Sequence, residues 1–159
     1  SASDPPKIKT VNLKGLPDAI DQSIYTEEKW PLIIDVDGDA SRFLKYQRGS
    51  FLLGFNPMDM EKTKLRKLLV GAIGNGSNMT IRYNKIESVT MLTDHFCDGF
   101  FPKEILDKRE ILDEKCWSTL LRPEEGDKPV HEFIANDSFA LIIITESKEI
   151  PRAIGKLKR

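Results

Sequence analysis

Apolar positions fall into two patterns along the chain. Unbroken runs occur at Leu32–Ile34, Phe51–Leu53 and Phe139–Ile144, and an alternating stretch at Met79–Tyr83. Short apolar runs bounded by turn residues predict strands covered on both faces, as in a parallel sheet. The second pattern lies in Met58 to Ile73, where Leu65, Leu68, Leu69, Ala72 and Ile73 recur at helical spacing. An amphipathic helix is predicted there, closed by the capping chemistry of Gly74-Asn75-Gly76. These positions predict four strands, Leu32–Asp35, Phe51–Phe55, Met79–Tyr83 and Phe139–Thr145.

Around them the weaker predictions fall into place. Val11-Asn12-Leu13 reads as a short strand before the Gly15-Leu16-Pro17 turn, and Asp18–Lys29 as loop with a helical turn at Ile20. Trp30-Pro31 opens the expected central strand, around which the chain is organised. A helix at about 38–48 would carry Phe43, Leu44 and Tyr46 inward, capped by Asp39 or Ser41. Helices are expected at Ser88–Cys97 and from Pro102 through Leu106, with Pro in the first turn. Lys108–Leu121 suits helix or strand equally, and Val130–Phe133 resembles a strand end. Strands alternating with helices predict an α/β three-layer sandwich with a largely parallel sheet. One domain at 11–150 is expected, between a flexible arm at 1–10 and a basic tail at 151–159.

Composition changes this picture little. The chain has 159 residues, 40% hydrophobic and 31% charged, with a net charge of −1. That size suits one domain, and the charge gives no reason to expect nucleic acid or membrane as a partner. The longest apolar run is far short of the roughly 20 residues that a spanning helix needs. Cys97 and Cys116 are too few for a disulfide framework or zinc site and read as free thiols in a cytoplasmic protein.

Candidate chemistry concentrates at Leu32-Ile33-Ile34-Asp35-Val36-Asp37-Gly38-Asp39, where strand meets helix. Such junctions hold phosphates or catalytic carboxylates in α/β proteins. A phosphate loop would need several glycines and a lysine, and here Gly38 is the lone glycine among Asp35, Asp37 and Asp39. Three carboxylates would repel a triphosphate unless metal intervened. The same residues resemble the hhhhDxDG motif of haloacid-dehalogenase-type phosphatases. In that alternative Asp35 is the nucleophile and Asp37 the acid/base, with Mg2+ offsetting charge. Thr145, ending the last apolar strand, would imitate that family's second motif. Only fourteen residues follow it, too few for the later lysine and paired aspartates. An EF-hand is excluded because Gly38 comes too early and Tyr46 stands where the bidentate Glu belongs. His95 and His131 lack partners at metal spacing, so no metal site is expected. Lys62, Lys64, Arg66 and Lys67 read as the solvated face of the amphipathic helix.

With those residues in view, the sequence resembles the fifth AAA+ module of the dynein heavy chain motor from about Val11 to Pro151. Val11-Asn12-Leu13-Lys14-Gly15-Leu16-Pro17 is similar to that family's W-N-I-Q-G-L-P, and Lys29-Trp30-Pro31-Leu32-Ile33-Ile34-Asp35 to its R-W-P-L-M-I-D. Gly38–Leu44 stands for G-Q-A-N-K-W-I, Met58–Gly74 for a helix reading D-P-D-F-L-R-T-L-E-N-A-I-R-F-G, and Asp137–Glu146 for D-F-R-F-Y-I-T-T-K. The resemblance implies an AAA+ large subdomain of the P-loop NTPase type, with a degenerate nucleotide loop at Asp35, Asp37, Gly38, Asp39 and Thr145. Departures deepen that degeneracy: Tyr83 is followed by Asn84 and Lys85 where Walker B carboxylates would hold Mg2+. The combined expectation is a catalytically inactive, dynein-like pseudo-NTPase without cofactor. It would serve as an interaction or scaffolding module for a protein partner, in the cytoplasm and in association with the cytoskeleton. Weak nucleotide binding without hydrolysis is a further alternative.

Overall fold

The computed structural model describes residues 9–84 and 91–146. Four parallel strands form one sheet: β1 Leu32–Ile34, β2 Gly49–Leu53, β3 Asn78–Tyr83 and β4 Ala140–Thr145, in the order β1-β4-β3-β2. The α/β three-layer reading holds, with one correction. The run at Leu32–Ile34 is an edge strand and not a central one, and Ile34 is exposed. An apolar run reports burial of side chains but not position in the strand order; β4 and β3 are the two central strands, and all six residues of β4 are buried.

Side chains of β4 alternate between two cores, as strand geometry requires. Ala140, Ile142 and Ile144 face one core with Leu16, Ile20 and Ile24 of the N-terminal segment and with Ala40 and Leu44. Leu141 and Ile143 face the other, with Met79, Ile81 and Tyr83 of β3 and with Leu65, Leu69 and Ile73. The first core holds α1 (Leu16–Asp21) and α2 (Asp39–Lys45); the second holds α3 (Lys62–Asn75). α2 and α3 therefore lie on opposite faces of the sheet.

α3 follows its sequence pattern closely. Leu65, Leu69, Ala72 and Ile73 are buried, Gly76 caps the C-terminus at φ 67°, and Ser77 N–H donates to Ala72 C=O. Its start is Lys62 and not Met58, because Glu61 accepts from Thr63 and Lys64 N–H and caps the helix there. Beside it, the outward N–H of Leu53 donates to Asp59 at 2.9 Å, which blocks that end of the β2 edge.

The remaining segments depart further. Val11–Leu13 is no strand; a 3-10 turn at Leu13–Gly15 leads into α1, which a π turn extends to Thr26, so most of the expected loop is helical. Between β3 and β4 the described chain is built from single turns. They comprise 3-10 turns at Met91–His95, Lys103–Leu106, Ser118–Leu120, Pro123–Glu125 and Val130–Glu132, with α4 (Lys108–Ile111) and α5 (Glu114–Trp117) between them. The expected strand end at Val130–Phe133 is thus a 3-10 turn; of the helix expected at Ser88–Cys97, residues 88–90 lie outside the described residues, Met91–His95 is a 3-10 turn and Cys97 forms an isolated bridge with Phe101. Tertiary contacts hold these turns. Arg66, fully buried on α3, donates to Leu120 C=O at 2.8 Å and to the carboxylates of Asp127 and Glu125. The solvated face expected of that helix is therefore interrupted by a buried cation. The Trp30 indole donates to Ile105 C=O at 2.6 Å, and its ring meets Phe139 edge-on. The expected arm at 1–10 lies mostly, and the tail at 151–159 wholly, outside the described residues.

Candidate functional site

The C-terminal ends of β1 and β4 meet where the sequence placed its candidate loop. Ile34 pairs with Thr145 in register, and Asp35 N–H donates to Thr145 C=O at 2.7 Å. Asp35 is buried at 6% exposure, and Thr145 is buried beside it. Here β1 turns through Gly38, whose φ of 82° needs a residue free of a Cβ penalty, and α2 begins at Asp39.

Asp35 is the helix cap, and neither Asp39 nor Ser41 fills that role. One carboxylate oxygen accepts from Ala40 N–H at 3.1 Å; the other accepts from Ser41 N–H and the Ser41 hydroxyl, both at 2.8 Å. The first N–H groups of a helix have no partner within it and attract anions, so a buried carboxylate fits there. Burial pushes the Asp35 carboxyl upward, but hydrogen bonds from Ser41, Ala40 and Gly38 outweigh it and leave the group below the ordinary 3.8. It is an anion held in place on both oxygens.

The other two aspartates lie outside this pocket of donors. Asp39 is exposed and pairs with Arg42 at 2.9 Å, one turn along α2. Asp37 is exposed too, and its main-chain carbonyl takes a 3.4 Å contact from Arg42. The fold thus brings Asp35 and Thr145 together and leaves Asp37 and Asp39 facing solvent. Nucleophilic attack by Asp35 would break several charge-assisted hydrogen bonds, and depressed basicity makes its oxygens poorer nucleophiles.

A second neutralised acid lies one strand further. Glu146, directly after β4, pairs with Arg82 of β3. Arg82 stands in register with Ile144, whose side chain belongs to the α1/α2 core, so Arg82 points to the face that carries α2. The sequence shows both residues but not their pairing, which depends on the parallel register of β3 and β4. Next to them Tyr83 is wholly buried, its hydroxyl has no hydrogen-bond partner, and Asn84 Oδ1 likewise lacks one. Asn84 directly follows β3, at the position where the resemblance implies a Walker B acid; Lys85 lies outside the described residues.

The remaining candidates are dispersed. His95 is half-buried in its turn, where burial pulls its pKa down against the opposing Asp94. His131 is exposed, 3.6 Å from Glu132. Among the described residues, no three His, Cys, Asp or Glu side chains are grouped to hold a metal, and no helix is long and apolar enough to cross a membrane. Cys97 and Cys116 are free thiols, both half-buried.

No family model matches the chain. No solved structure matches it either.

Proposed function

We propose that this chain is a catalytically silent α/β module of the AAA+ type, related to the dynein fifth module and used to engage a protein partner. The observation that carries the reading is the Asp35 carboxylate, held by Ala40 and Ser41 at the start of α2. A strand–turn–helix junction binds phosphate through backbone N–H groups at the helix start. Here those donors already serve an internal anion, and Asp37 and Asp39 add negative charge at the mouth. A phosphate group would have to displace Asp35 and then lie beside it, which costs both desolvation and repulsion. The Glu146–Arg82 pair extends the same theme, since the carboxylate after β4 is also neutralised from within. The order and spacing of the segments that resemble the dynein module supply the family part of the proposal.

The test is a thermal-unfolding titration with ATP, ADP and GTP, each with and without Mg2+, and with Mg2+ alone. A ligand at a hundred times its dissociation constant adds about 2.7 kcal/mol, a clear shift in midpoint. No shift under any condition is expected. A shift with nucleotide overturns the silent reading in favour of residual nucleotide binding. A shift with Mg2+ alone, together with phosphatase activity that Asp35→Asn abolishes, replaces it with the phosphatase that uses Asp35 and Asp37.

A further inference from the structure

We draw no further inference here: the strongest candidate, the acidic cleft between the turn at Gly99 and α5, lined by Asp98, Glu104, Glu110 and Asp113 around Cys116, is a cluster of carboxylates beside a single thiol, with no second observation in the structure that points to what would occupy it.

Discussion

The Asp35 carboxylate and Ser41 are joined twice, through the backbone N–H and through the hydroxyl, each at 2.8 Å. Ser41→Ala removes the hydroxyl bond alone and should cost about 1 kcal/mol. Asp35→Ala strands the α2 donors and should cost about 1.5–3 kcal/mol. Urea unfolding of the two variants would give this ranking; equal losses would mean that Asp35 does not cap α2.

The same contact predicts a pH dependence. The folded-state pKa of Asp35 lies below its ordinary 3.8, so the native state binds this proton less readily than the unfolded chain does. The stabilisation is present above about pH 4 and is lost as the pH falls through the folded value. Wild type should therefore lose stability more steeply than Asp35→Asn on acidification below pH 4. Parallel curves for the two proteins would rule the effect out.

Gly54 and Tyr83 set a different constraint. A Cβ at Gly54 would lie 2.1 Å from Tyr83 Cε1, and that ring is fully buried. Gly54→Ala should destabilise by about 1–3 kcal/mol through overpacking. Tyr83→Phe makes the opposite case: its buried hydroxyl has no partner, so deletion should be neutral or stabilise by up to about 1 kcal/mol. Chemical denaturation measures both, and a large loss in Tyr83→Phe would show that the hydroxyl is bonded in solution.

Arg66 is a fully buried charge with three hydrogen-bond partners. It has no exposed side-chain surface, and it ties α3 to Leu120, Glu125 and Asp127. Arg66→Ala should cost about 3 kcal/mol or more, because a buried cavity opens, the Leu120 carbonyl loses the guanidinium, and the Asp127 carboxylate keeps Arg122 N–H but loses its counter-charge. Glu125→Gln should cost less than about 1 kcal/mol, since Glu125 is half exposed and screened by water. Arg66→Lys restores charge without the planar fork and should recover only part of the loss.

Cys116 should be a slow thiol. Burial, with Glu104, Glu110 and Asp113 adding repulsion, pushes it up to about 11 from 9.0. At pH 8 that leaves about a hundredfold less thiolate than an ordinary cysteine, and only the thiolate reacts. A thiolate of higher pKa is also a stronger nucleophile, so in a Cys97→Ser background alkylation of native protein should be about tenfold or more slower than in urea. Comparable rates would place Cys116 in a more open and less acidic setting.

What the sequence disclosed depended on how local each cause was. Leu65, Leu69 and Ile73 announced α3 because helical spacing is a property of neighbours, and Gly76 announced its end. Phe139–Ile144 announced a covered strand for the same reason. Position in the sheet was not legible: Leu32–Ile34 and Leu141–Ile143 are equally apolar, and the difference is which one has partners on both sides. The Asp35 junction was located correctly but its cap was misassigned. Capping rules look to the residue next to the helix, whereas this carboxylate reaches over the turn to residues five and six positions ahead. The segment from Met91 to Glu132 was read least well. Its turns are set by Arg66, Trp30 and Arg122, which lie on other segments or reach across turns, and Arg122 reaches Gly99 C=O at 2.8 Å. Such supports leave no periodicity in the segment they hold.

The order β1-β4-β3-β2 also fixes when the fold can come into being. β2 and β3 pair soon after they are made, with α3 between them, but β1 has no neighbour until β4 arrives. On a ribosome, the first strand and its helices must wait while more than a hundred further residues emerge, their apolar faces open to competing contacts. Pairing so distant in sequence is slow and exposes the chain to aggregation. One of the two central strands, β4, is synthesised after the other three, so a nascent chain halted before Ala140 holds β1 and the β2–β3 pair with nothing to join them.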